Sequence, residues 1–250
     1  MAETHRFSGS LAEEYQLITL AYPDFEEFQR RMVDTIARQA PANPHILEIG
    51  TGNGFTTRML LEPPGARIVT VDNDPHMVEQ ARKQLQPQDE PPDAEQAEAP
   101  AQSRARALEV VEADALEFLR AQRSESYGVV ASAFTLHNME ATYRDLVEQE
   151  IFRVLTPGGL FTNADKYAPE GQERFDALVY QVERFFDAFV ELGKLDLLRK
   201  WVTHNITDQS PQFVMPASTA PARLSQVGFQ DVQVGHRTHM QAILTAWKPA

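Results

Sequence analysis

Between His45 and Asn73 the chain leaves itself few alternatives. His45-Ile46-Leu47-Glu48-Ile49 is a short apolar run that ends in Gly50-Thr51-Gly52-Asn53-Gly54, and Phe55 to Leu61 then carries no helix breaker. This order predicts strand, glycine turn, helix. A second run, Arg67-Ile68-Val69-Thr70-Val71, delivers Asp72 at the carboxyl end of a neighbouring parallel strand, where an acid can accept both hydroxyls of a ribose. Glycines allow a sharp turn and a close approach to a ligand, so the stretch describes a nucleoside-binding crevice in an α/β sheet. The spacing is G-x-G-x-G, not the G-x-G-x-x-G of dinucleotide sites. Glu48, two residues before the first glycine, would repel a pyrophosphate but tolerate a cationic ligand or hold it through an amine.

At 250 residues the chain is long enough for one α/β domain with appended helices. A net charge of −13 argues against a nucleic-acid backbone as the main partner, because such binding rests on clustered Lys and Arg. No cysteine is present, which excludes disulfides, thiolate catalysis and Cys-ligated zinc. The polar Met1–Gly9 segment and the lack of any run approaching ~18 apolar residues give the expectation of a soluble cytoplasmic protein without a membrane partner.

Further motifs follow in order. Leu108-Glu109-Val110-Val111-Glu112 leads into Ala113-Asp114-Ala115, Tyr127 to Leu136 reads as the fourth strand and its exit, and Pro157-Gly158-Gly159 precedes Leu160-Phe161-Thr162-Asn163-Ala164. With E-x-G-x-G-x-G at Glu48–Gly54 and the acid at Asp72, this series resembles the class I S-adenosylmethionine-dependent methyltransferases. The resemblance implies a Rossmann-like seven-stranded sheet with helices on both faces and an antiparallel last strand. It implies S-adenosyl-L-methionine as cofactor, with S-adenosyl-L-homocysteine as product, held by Glu48, Gly50, Thr51, Gly52, Gly54, Asp72, Asn73, Asp114, Ala115 and Ala133. By that resemblance Asp114 meets the adenine amino group; helix capping is the other reading of Asp114. Gly128 departs from the family, which commonly has Asp there.

Helical spacing appears before the motif, at Leu11, Tyr15 and Ile18 and again at Phe25, Phe28, Met32, Ile36 and Ala37. After the fifth strand it recurs at Phe175, Leu178, Val179, Val182, Phe185, Phe186, Phe189 and Leu192, which predicts one long helix over 173–200 and an irregular stretch over 201–212. The whole chain therefore reads as a single domain. Cap helices occupy 1–40, a flexible acidic loop rich in Pro, Glu and Gln occupies 86–104, and a helical lid or homodimer surface occupies 170–215.

Methyl transfer needs alignment of a nucleophile and exclusion of water more than it needs a base. His137 and, behind it, Asp165 are the catalytic candidates, with a turn-shaping histidine and a solvated loop as the plainer readings. Tyr15, Tyr22, Tyr167, Arg199 and His204 are candidates for contact with a small-molecule substrate. His236 and His239 have i, i+3 spacing but no nearby acid ligands, so no metal is expected.

Within the superfamily the layout is also similar to the carboxy-S-adenosylmethionine synthases. The shared features are Tyr22-Pro23-Asp24, the Phe134-Thr135-Leu136 turn, the long helix and Ala222-Arg223-Leu224 before Gly228-Phe229. That likeness assigns an arginine after the long helix to a carboxylate on the cofactor, with Arg199 or the His204-Asn205 position at the corresponding place. A catalytically silent cofactor-binding partner protein is the reading from a different class.

Overall fold

The computed structural model describes residues 11, 14–40, 43–63, 65–86 and 107–250. A 3-10 helix at Tyr15–Leu20 leads into α1 (Phe25–Gln39). There follow β1 (His45–Ile49), α2 (Phe55–Leu60), β2 (Arg67–Asp72), α3 (Pro75–Leu85), β3 (Ala107–Glu112), α4 (Ala115–Ala121) and β4 (Tyr127–Ala133). A short 3-10 turn, Leu136–Asn138, precedes α5 (Ala141–Val154) and β5 (Leu155–Lys166). The chain closes with α6 (Gly171–Glu191), α7 (Leu195–Thr207), α8 (Ala220–Val227), β6 (Gln230–Thr238) and β7 (Gln241–Trp247).

The seven strands lie in the order β3-β2-β1-β4-β5-β7-β6. The first five are parallel, and β7 runs antiparallel between β5 and β6. Strands β1 and β4 sit centrally with helices on both faces, so Ile46, Leu47, Ile49, Val129, Val130 and Ala131 are all buried. That is why their sequences are continuous apolar runs, not alternating ones. One face packs against α4, α5 and α8 through Leu119, Val147, Ile151 and Leu224, and the other against α1 and α2 through Phe28, Met32, Met59 and Leu60. The expected Rossmann-like sheet with an antiparallel last strand is the observed one.

A third apolar cluster lies beyond the carboxyl ends of the strands. Ile18, Tyr22, Phe25, Phe185, Phe189, Leu197, Leu198 and Trp201 join the N-terminal segment to α6 and α7, and Gln181 Nε2 donates to the Ala21 carbonyl at 3.1 Å. The strand order reverses between β1 and β4, where such sheets open a crevice, and this helical layer roofs it.

Several boundaries differ from the sequence reading. Among the described residues the segment before α1 holds a 3-10 helix at Tyr15–Leu20. On α1 the buried face takes Gln29 and Val33, while Ala37 is exposed. The single helix expected over 173–200 is two, α6 ending at Glu191 and α7 beginning at Leu195. The stretch thought irregular from Trp201 is helical to Thr207 because Leu197, Leu198 and Trp201 continue a buried face. The acidic loop lies, apart from Gln86, outside the described residues, as do Met1–Ser10 of the cap. Among the described residues no helix is long and apolar enough to cross a membrane.

Candidate functional site

A cavity of about 550 Å³ opens at the carboxyl ends of β1, β2 and β4. Its floor begins with the glycine turn. Gly50 has φ +85°, and a Cβ there would sit 1.9 Å from Thr135 Oγ1, so only glycine lets the turn pass beneath the segment after β4. Gly52 has φ +51°, and a Cβ built on it meets nothing within 4 Å, because it faces the open cavity.

Asp72, at the end of β2, locks this turn. Its Oδ2 accepts the Gly52 N–H at 2.8 Å and its Oδ1 accepts the Asp74 N–H at 3.0 Å. Burial pushes its carboxyl above the usual range, with the Asp74 and Gly52 N–H groups opposing. A carboxylate has about four acceptor positions, so these bonds leave capacity for a ligand diol. Asp114 caps α4 by accepting the Glu117 N–H at 2.9 Å and accepts the Tyr143 hydroxyl at 2.6 Å, and both Asp114 and Tyr143 line the cavity. Capping and cavity contact, posed as alternatives by the sequence, coexist at this residue.

Gly50, Thr51, Gly52, Asp72, Asn73, Asp114, Ala115, Ala133 and Tyr15 all border the cavity. Glu48 and Gly54 do not. Glu48 is fully buried under the turn, where its Oε2 accepts the hydroxyls of Thr57 at 2.5 Å and Thr70 at 2.7 Å. Burial pushes this carboxyl up to about 7. Gly54 instead lets α2 approach α3, where a Cβ would lie 3.1 Å from the Leu85 side chain. Sequence reading missed Gln29, Phe55, Asn138 and Phe213 in the far wall, which Phe25 and Phe134 complete. Phe25 and Phe134 stack with centroids 5.3 Å apart, a pairing between the cap and the β4 exit that residue spacing cannot reveal.

The catalytic candidates lie elsewhere. His137 and Asp165 are buried behind the cavity and do not line it. Asp165 Oδ1 is 2.6 Å from His137 Nδ1, and Oδ2 accepts the His137 N–H at 3.2 Å. Lys166 Nζ donates to Asp208 Oδ2 at 2.7 Å. Burial alone would raise the Asp208 carboxyl, but the Lys166 ammonium and the His137 and His204 imidazoles hold it well below the usual range. Burial would lower Lys166, and Asp208 with the Tyr22 hydroxyl holds it above its usual range. Tyr22 therefore serves this buried cluster, not the cavity.

Tyr167 points to the opposite face of the sheet, where its hydroxyl accepts the Asn163 amide at 2.9 Å and its ring joins the core with Val147 and Ile151. Arg199 is exposed on α7, where it shares a separate hollow with Lys200, Thr203 and His204. Four of the five substrate candidates are thus absent from the cavity wall: Tyr22 turns to Lys166, Tyr167 enters the core, and α7 carries Arg199 and His204 to the separate hollow.

Residues 47–162 match the family model described as a methyltransferase domain. The carboxy-S-adenosyl-L-methionine synthase of Yersinia pestis (strain Pestoides F) is 24% identical over 232 residues, which is 91% of this chain and 78% of that protein. A SAM-dependent methyltransferase from Thermotoga maritima superposes with a TM-score of 0.60 at 13% identity, covering 98% of this chain and 100% of that one. Phosphoethanolamine N-methyltransferase 2 of Haemonchus contortus, solved with S-adenosyl-L-methionine, gives 0.55 at 14% identity over 88% of this chain and 52% of its own.

Proposed function

Since the chain belongs to the class I S-adenosylmethionine-dependent methyltransferase superfamily and its cofactor is S-adenosylmethionine, we propose that it transfers the cofactor's methyl group to a small-molecule acceptor by in-line displacement. The supporting observation is the cavity lining, which is acidic at the glycine-turn end, aromatic at the other, and includes no Arg or Lys among the described residues.

The residues fit the cofactor. Gly52 leaves room for a ligand against the backbone, Asp72 keeps acceptor positions for a ribose diol, and Asp114 with Ala115 borders the place for a base. The bound cofactor supplies an electrophilic methyl on a sulfonium.

The chain's own contribution is orientation and exclusion of water. Tyr15, Phe25, Phe55 and Phe134 form an apolar wall on the acceptor side, while Gln29, Thr135 and Asn138 offer polar contacts along it. Burial pushes the Tyr15 phenol far above its usual range, so it acts as a hydrogen-bond donor and not as a base. His137 acts at one remove, as a positioning residue for the turn that carries Asn138.

The alternative of a carboxylated cofactor draws on the Yersinia pestis relative. It requires a cation for the added carboxylate. Arg199 and His204 border the separate hollow, which leaves that reading without its anchor in the cavity. Mass spectrometry of the small molecule released from the denatured protein tests both. Unmodified S-adenosylmethionine or S-adenosylhomocysteine, with acceptor-dependent release of the latter across a small-molecule panel, is expected. A cofactor heavier by one carboxylate overturns methyl transfer, and retained cofactor without turnover on any acceptor favours a silent binding protein.

A further inference from the structure

We propose that His137, His204 and Asp208 form a binding site for one divalent transition-metal ion of the zinc class, independent of the methyl-transfer reading. The three residues come from two elements, the turn after β4 and one face of α7, where His204 and Asp208 are i, i+4 neighbours. All three are buried, and one potential ligand atom from each lies within 4.8 Å of the others.

Distances distinguish an ion site from a hydrogen-bonded cluster. His137 Nε2 is 3.8 Å from Asp208 Oδ2, and His204 Nε2 is 3.6 Å from Asp208 Oδ1. Both are too long for hydrogen bonds. Ligands bonded at 2.0–2.1 Å to a tetrahedral ion are separated from one another by roughly 3.3 Å. Small side-chain adjustments therefore close this triad onto an ion.

The surroundings suit that role. Asp165 engages His137 at Nδ1, which fixes the ring and turns Nε2 toward Asp208, as an outer carboxylate does for a metal-bound histidine. Lys166 occupies Asp208 Oδ2, so Oδ1 is the oxygen that faces His204. Two carboxylates, Asp165 and Asp208, face one ammonium, a surplus of negative charge that favours a cation here. Two imidazoles and one carboxylate favour zinc or a similar ion over calcium or magnesium, which prefer all-oxygen sites. A bound ion would tie α7, and with it the helical roof, to the sheet.

The test titrates the full chain, stripped with chelator, with Co²⁺ and then Zn²⁺. One equivalent of Co²⁺ is expected to give the intense visible bands of a four-coordinate ion. Zn²⁺ is expected to displace it and raise the melting temperature. His204→Ala should weaken binding by more than about 100-fold, while His239→Ala, outside the triad and stacked on Tyr180, should leave it unchanged. A pale solution-like cobalt spectrum in the unaltered chain, or equal binding by His204→Ala, overturns the proposal. The cobalt spectrum needs no variant, so the outcome does not depend on His204→Ala folding.

Discussion

Two groups of acids stand on the same side of this sheet, and the fold treats them in opposite ways. Asp72 and Asp114 border an open cavity and are held by neutral donors, backbone N–H groups and the Tyr143 hydroxyl. Asp165 and Asp208 are sealed behind it and are held by an imidazole and an ammonium. Neutral donors fix a carboxylate without cancelling its charge or filling all its acceptor positions, so it remains available to a ligand. An ammonium in contact with a buried carboxylate neutralises it and makes the pair structural.

The comparison breaks most visibly at Lys166. Lys166→Met leaves Asp208 buried without its ammonium and should cost ~3–5 kcal/mol of stability, read by urea unfolding of chelator-treated protein. A loss below ~1 kcal/mol would mean that the cluster is not held by charge. Asp208 and Asp165 both have folded values below the ordinary 3.8, so their contribution is complete above that pH and lost as pH falls through the lowered values.

Glu48 should give the opposite slope. Its folded value of about 7 lies above the ordinary 4.5, so the stability present below pH 4.5 is lost as pH rises through 7. The loss is of order 3 kcal/mol. Glu48→Gln should flatten this decline and be the more stable form at pH 8, checked by unfolding across pH 4–8; an unchanged profile would place the titration elsewhere.

A smaller effect separates binding from folding. Gly52→Ala meets only backbone strain of about 1 kcal/mol, since no atom opposes its Cβ, yet the methyl projects into the cavity. Isothermal titration should show S-adenosylhomocysteine affinity falling at least tenfold, with little loss of melting temperature. The smallest effect is expected at exposed Arg199, where Arg199→Ala should shift stability by no more than ~0.5 kcal/mol and leave cofactor affinity unchanged. A large loss there would revive the carboxylate-anchoring role.

These contrasts mark where sequence reading succeeds. The strand order around Gly50, Asp72 and Asp114 was legible because backbone constraints and strand-end acids recur at fixed chain intervals, and parallel strands buried on both faces must be apolar throughout. The long aromatic stripe was legible as helix, yet its burial was not. Phe185 and Phe189 are buried under the cap, while Phe175 and Phe186 of the same helix are 60% and 50% exposed.

The sequence alone determined a Rossmann-like sheet with a nucleoside crevice, since local geometry and periodicity suffice for both. Tertiary structure alone decided which side chains reach the crevice. It turned Tyr167 to the far face, left Arg199 outside, drew Tyr22 to Lys166, and brought His137, His204 and Asp208 together across some seventy residues. The reason is physical: the direction of a side chain at a strand exit or on a roofing helix depends on what packs against that element, and no local pattern records it.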